Sequence, residues 1–274
     1  MSVTRSEVPR RASEGSGQRA ASVIVNVIDV LRCFTVEAPL QGVTEIAAQV
    51  GLHKSSVSRI LATLEGEAIV ERDEASRKFR LGLGLIAVAG PLLANLDVRR
   101  VSLPMLQELS AEIGETVALV VWDGTEAVTV EQVASTQNIK HTAPLGTRYA
   151  SALNSSVQVF LADLPPERAR ELVESGPSAL PPGAGVGTQE VVGRLDRVRE
   201  RGYAVNQGDT FAEEVGICAP VRDHRGQVVA GLLMAAPFYR VGPDRADELG
   251  ARVAAVARQI SARLGAPPGP PASD

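Results

Sequence analysis

Between Gly42 and Leu64 the apolar residues Ile46, Ala47, Val50, Leu52, Val57, Ile60, Leu61 and Leu64 recur at helical spacing on either side of Gly51. This pattern predicts two short amphipathic helices joined by a tight turn. Thr44 stands where the first needs a cap, and the carboxylate of Glu45 suits the positive end of the helix dipole. Gly51 supplies the left-handed residue that ends it, with Leu52 packed beneath. An earlier series, Val23, Val27, Val30, Leu31 and Phe34, predicts a supporting helix that Pro39 closes off. After Leu64 the period shortens: Ile69 to Glu71 and Lys78 to Leu81 read as strands around a polar turn. Helix, helix, turn, helix, hairpin is the order of a winged helix-turn-helix.

The second reading helix turns His53, Lys54, Ser55, Ser56, Ser58 and Arg59 outward. Short hydroxyls approach phosphates and base edges closely, and the two cations neutralise phosphate, so this face suits a duplex groove. Arg72, Arg77 and Lys78 sit at or near the hairpin tip, where Asp73 and Glu74 weaken the local positive field. A solvated polar face on a small bundle and an ordinary surface turn are the plainer alternatives.

Beyond the hairpin, Leu83 to Asn95 is apolar nearly all round, which predicts a connecting helix buried against a second subunit. A helix over Val101 to Ile113 with Pro104 in its first turn follows, then a hairpin of Thr116 to Trp122 and Ala127 to Val133 turning at Asp123-Gly124. Helices are expected near Ser155 to Leu161, over Pro166 to Glu174 and over Gln189 to Arg201, around a Pro/Gly-rich loop from Ser175 to Gly187. Strands at Tyr203 to Asn206, Ile217 to Val221 and Val228 to Ala235 precede a last helix from Asp244 to about Leu264. Helices beside an antiparallel sheet make this half an α+β domain.

The run GLHKSSVSRILATL followed by IVERDEASRKFRLGLGL resembles the DNA-binding domain of the IclR family of bacterial transcriptional regulators. GETVALVV, RGYAVNQGD, CAPVRDHRGQVVAGLL and a final helix ending in LG continue the resemblance in order, over roughly Ser22 to Gly265. It implies an α+β chain. A winged helix-turn-helix over 20–82 is joined by a linker helix over 83–96 to a GAF-like antiparallel-sheet effector domain over 97–265, with a disordered arm at 1–19 and tail at 266–274. It also implies a homodimer or homotetramer on a pseudo-palindromic double-stranded DNA operator, more often a repressor, whose DNA affinity responds to a small-molecule effector. Two alternatives stay open: a regulator whose effector pocket is vestigial, and a ligand-binding protein that has lost DNA binding.

Composition changes the picture little. The 274 residues are 45% hydrophobic and 22% charged with a net charge of -4, an ordinary globular balance. That charge excludes a protein coated in basic residues, not a small basic docking face, since electrostatic contacts act within about 10 Å. Cys33 and Cys218 lack metal-ligand neighbours and read as buried small hydrophobes in a cytoplasmic protein, with no metal or cofactor implied. The polar first twenty residues contain no signal peptide, and no run reaches the roughly 18 residues of a membrane span. Arg10, Arg11 and Arg19 leave a groove-tracking arm as an alternative to a plain tail. The Gly82-x-Gly84 pair lacks the rest of a nucleotide loop. His53, His141 and His224 fall in separate elements, no nucleophile motif is present, and Glu213-Glu214 reads as a solvated surface pair, so catalysis is not expected.

The resemblance places the effector between Leu145 to Leu161 and Gly208 to Val221. Here Ala150-Ser151-Ala152 and Val157-Gln158 replace the usual Pro-Leu-His and Gly-Lys, Leu233 and Ala235 stand where pocket hydroxyls are common, and Gly216 stands where a cysteine is common. A pocket stripped of hydroxyls holds a small carboxylate poorly. The expectation is therefore a larger, apolar, aromatic or neutral effector touched by Tyr149, Asn154, Ser155, Asp209, Phe211, Cys218, Leu233 and Ala235, with Arg148 as a single cationic anchor.

Overall fold

A computed structural model describes residues 18–35, 38–95, 97–180 and 185–267. The expected arm, up to residue 17, and the tail from residue 268 lie outside the described residues. Contacts divide the chain into two units, one ending at Asn95 and one following it.

The first unit contains α1 (Gln18–Arg32), α2 (Val43–Val50), α3 (Lys54–Gly66), the hairpin β1 (Val70–Arg72) and β2 (Phe79–Leu81), and α4 (Gly84–Asn95). Val30, Cys33, Phe34, Ile46, Ala47, Val57, Leu61, Val70 and Phe79 are its buried core. Helix α1 begins five residues before Val23, and Val23 itself is 57% exposed, so only the C-terminal part of the predicted stripe faces inward. Gly51 ends α2 in the left-handed region at φ 68°, a conformation that costs glycine nothing. Thr44 does not cap α2. The cap is Gly42, one residue before the helix, and the Glu45 carboxylate accepts its N–H at 2.8 Å.

Gln41 stitches this core together. Its N–H and C=O exchange 2.9 Å bonds with Phe79, and its side-chain amide donates to the Cys33 carbonyl at 3.0 Å. The hairpin thus gains a one-residue third strand that no apolar period announces.

Gly82 and Gly84 serve packing, not a nucleotide. A β-carbon on either would lie 2.3 Å or 2.6 Å from the Ala68 carbonyl oxygen. Their N–H groups donate to Ile69 and Ala68 at 2.8 and 2.9 Å, which clamps the start of α4 to the chain leaving α3.

In the second unit six antiparallel strands run in the order β5-β4-β3-β8-β7-β6: β3 (Thr116–Trp122), β4 (Ala127–Val133), β5 (Arg148–Tyr149), β6 (Ala204–Gln207), β7 (Glu214–Arg222) and β8 (Val228–Pro237). Successive side chains point to opposite faces. Val215, Ile217, Ala219 and Val221 enter the core beneath α5 (Asp97–Ile113) and α9 (Pro243–Arg263). Cys218 enters the core beneath α6 (Ser155–Asp163), α7 (Pro166–Ser175) and α8 (Thr188–Arg201). Helix α5 starts four residues earlier than Val101, so Pro104 lies inside it and not in its first turn, leaving one helical hydrogen bond unmade.

The close approach at Ala68 makes a testable demand. Gly84→Ala should lower stability by about 1–3 kcal/mol in denaturant unfolding. Gly66→Ala, where an added β-carbon meets nothing within 4 Å, should be neutral or stabilising by up to about 1 kcal/mol.

Candidate functional site

On α3 the side chains of Lys54, Ser55, Ser58 and Arg59 are exposed, and Ser56 is half-buried. Among the described residues neither Lys54 nor Arg59 has an ion-pair partner, which leaves both charges available to a polyanion. His53 is the N-cap and not part of the helical cylinder. Its Nδ1 lies 3.4 Å from the Ser55 N–H that it accepts and 2.9 Å from the Ser55 hydroxyl. The exposed Ala62 and Thr63 extend the same face by a turn, which the sequence reading missed.

The hairpin turn is built by Asp73, whose carboxylate accepts the Ser76 hydroxyl and N–H at 2.6 and 2.7 Å; those two bonds hold its pKa below the usual range. Arg77 at the tip is exposed in the left-handed region at φ 57°. The Arg72 guanidinium lies 5.7 Å from the centre of the Phe79 ring. Lys78 is engaged elsewhere: its Nζ is 2.7 Å from Glu45 Oε1. That hydrogen bond, with the one from Gly42, holds the Glu45 carboxyl below its ordinary pKa. Lys78 therefore ties the wing to the start of α2 in this structure, where the sequence reading placed it among the free tip cations.

In the second unit the expected effector residues separate into groups. Tyr149, Ser155, Cys218, Leu233 and Ala235 gather beneath α6 on one sheet face. Asn154 is 6% exposed and caps α6, accepting the Ser156 N–H at 2.9 Å. Asp209 is held by both terminal nitrogens of Arg194, at 2.8 and 3.2 Å, and lines a polar cleft of about 370 Å³ along α8 and β6. Phe211 is 63% exposed. Arg148 is not an unpaired anchor, because Asp123 and Glu126 both take its guanidinium.

The same sheet face is not stripped of polar groups. The hydroxyls of Thr129, Ser155 and Ser156 are buried; Thr129 lies against the Tyr149 phenol and Ser156 against the Cys218 thiol, while the Ser155 hydroxyl has no hydrogen-bond partner among the described residues. Ser155 Oγ and Glu214 Oε1 would stand 3.1 and 3.8 Å from a β-carbon on Gly216, with Leu233 Cδ1 at 3.9 Å. Glu214 is not a solvated surface acid: its side chain is 17% exposed, and burial raises its pKa against the opposing pull of His141, whose Nδ1 is 3.6 Å away. His141 Nε2 faces the Glu213 carbonyl at 3.0 Å, and since a carbonyl only accepts, that nitrogen carries the proton. Burial pushes the Tyr149 phenol up to about 12, partly offset by the Thr129 hydroxyl. Burial likewise takes the Cys218 thiol to about 12, with Ser156 acting against it, which makes that thiol inert.

Two family descriptions match this chain: "IclR helix-turn-helix domain" over residues 23–74 and "Bacterial transcriptional regulator IclR C-terminal" over residues 91–262. The chain belongs to the IclR family of bacterial transcriptional regulators.

Among its IclR-type relatives, the HTH-type transcriptional repressor AllR of Klebsiella pneumoniae is 30% identical over 96% of this chain and 98% of its own. The HTH-type transcriptional regulator KipR of Bacillus subtilis (strain 168) is 29% identical over 90% of this chain and 99% of its own. A solved domain of an IclR-family regulator is 47% identical, covers 62% of this chain and 98% of that one, and superposes with a TM-score of 0.58. An IclR homologue from Microbacterium hydrocarbonoxydans complexed with 4-hydroxybenzoate is 25% identical over 88% of this chain and 99% of that one, with a TM-score of 0.72.

The turn that holds Arg148 in this IclR-family chain gives a pH signature. Partial burial opposes ionisation of Asp123, but the N–H groups of Glu126 and Thr125, the Thr125 hydroxyl and Arg148 outweigh it and bring the carboxyl down to about 2. A folded-state pKa below the unfolded value of about 3.9 adds stability above that value, and the benefit disappears as pH falls through the folded pKa. The difference in Tm between the protein and Asp123→Ala should be constant above about pH 5 and close as pH falls toward 2, read by thermal unfolding across that range.

Proposed function

We propose that this IclR-family regulator binds a pseudo-palindromic operator as a homodimer or homotetramer. In this reading α3 lies in the major groove and a small effector in the second unit modulates affinity. The observation that carries the reading is the exposed α3 face, where Lys54 and Arg59 lack ion-pair partners among the described residues and stand beside Ser55 and Ser58. Lys54 and Arg59 meet phosphate or guanine, the serines and half-buried Ser56 approach base edges, and Arg72 and Arg77 reach the flanking backbone. His53 caps α3 and Thr44 stands in the first turn of α2, both near the phosphates in this reading, and Lys78 can join the contacts only by giving up Glu45.

Helix α4 supports the assembly. Leu83, Ile86 and Val88 at its start are 72%, 59% and 71% exposed, apolar surface that a second subunit would cover. Two heads fixed this way read half-sites one helical turn, or a multiple, apart. Repression is favoured by the AllR repressors among its relatives, and the 4-hydroxybenzoate complex of the Microbacterium homologue supports a small-molecule effector. The buried Ser155 hydroxyl at the start of α6, unpartnered among the described residues, favours a working pocket over a vestigial one, since such a group costs free energy unless something bonds it. Among the described residues no His, Cys, Asp and Glu cluster could hold a metal and no helix is long and apolar enough to cross a membrane. The protein acts as a non-enzymatic regulator in the cytoplasm.

Fluorescence anisotropy on duplexes from the gene's own upstream region tests this. Arg59→Ala should weaken binding by about tenfold, equivalent to about 1.4 kcal/mol, and reduce the slope of log affinity against log salt by about 0.9 if Arg59 meets a phosphate. Ser56→Glu should abolish binding while leaving thermal unfolding intact. Unchanged affinity in both variants removes the assignment of α3 as the reading helix.

A further inference from the structure

The charge on the sheet face beneath α6 restricts what it can hold. Three features converge above Gly216: the Ser155 hydroxyl, buried and without a partner; the carboxylate of Glu214; and the Leu233 side chain. Gly216 does not take a positive φ, so its backbone does not demand glycine; the missing side chain lets the Ser155 hydroxyl come within 3.1 Å of where a β-carbon would sit. Thr129, also buried, lies on β4 beside Tyr149 of β5. Three arginines of this unit are engaged by acids: Arg148 with Asp123 and Glu126, Arg194 with Asp209 and Glu190, and Arg240 with Glu115 at 2.7 Å through two nitrogens. His141 draws on Glu214 from 3.6 Å away, with its side chain 30% exposed.

A carboxylate ligand placed here would meet the like charge of Glu214 beside the Ser155 hydroxyl. Neutral hydroxyls do not make up that repulsion in a partly dry site. An ionised Glu214 accepts and cannot donate, so it needs a ligand that brings its own N–H or O–H. We propose that the effector of this sheet face is an uncharged or cationic hydrogen-bond donor, an amide or amine, held by the Glu214 carboxylate and the Ser155 hydroxyl, and not a carboxylate. This rests on the reading of the second unit as the effector-binding part of the regulator, and it narrows the ligand class beyond that reading.

Two matched series test it by calorimetry on the full chain at neutral pH: 4-hydroxybenzoate, 4-hydroxybenzamide and 4-hydroxybenzylamine, and propionate, propionamide and propylamine. In at least one series the amide or amine should bind about tenfold or more tighter than the acid. Glu214→Gln should weaken amine binding by a similar factor and narrow the gap to the acid. Ser155→Ala, which removes one unpartnered oxygen from a buried helix, should weaken the amide and amine without lowering Tm, and it stands in if Glu214→Gln does not fold. An acid that binds as tightly as its amide and amine, an order unchanged by whichever of these variants folds, or no binding in either series would overturn the proposal. Operator binding by the same preparation separates the two levels: retained DNA affinity with any of those results removes the ligand class alone, while absent DNA affinity removes the functional reading beneath it.

Discussion

The Ala68 carbonyl is the point on which the first unit turns. Ala68 takes a positive φ of 54°, an uncommon conformation for a residue with a side chain. It is held there because Gly82 and Gly84 pass close enough for Gly84 to donate to it. That one contact fixes three directions at once: where α3 ends, where the hairpin returns and where α4 departs. A reading helix acts on DNA only if its orientation is set by rigid surroundings. Here the rigidity comes from backbone against backbone, with Gln41 bracing the hairpin from the other side.

Glu45 is a second constraint of the same kind. One carboxylate caps α2 through Gly42 and holds Lys78 of the wing, so the orientation of the wing relative to the two helices is set by an ion pair as well as by the apolar core. An exposed pair contributes little stability, and its role here is to set geometry. The wing cations differ in availability: Arg77 projects from the tip, Arg72 lies over Phe79, and Lys78 is paired with Glu45.

Much of this was legible in the sequence where a period or a turn residue carried it. The spacing around Gly51, the hairpin at Asp123 and Gly124, and the turn ending at Gly226 reappear as elements, because local sterics and amphipathicity act over a few residues. What was not legible depended on long-range pairing. Lys78 finds Glu45 across 33 positions, Arg148 is neutralised by acids 22 and 25 positions away, and Pro104 was misplaced because the helix start was set at Val101. Glu214 is the instructive miss. Strand β7 was expected to begin at Ile217, but it begins at Glu214, and the two-residue period then puts that acid on the same face as Cys218. Extending the alternation back by three residues would have found it.

The central sheet feeds two separate cores. Along β7 and β8 the even positions of one strand and the odd positions of the other meet beneath α6, while their neighbours are sealed under α5 and α9. In the proposed reading, substitutions at the few polar positions on the α6 side act on the effector, while the opposite side goes on specifying the scaffold.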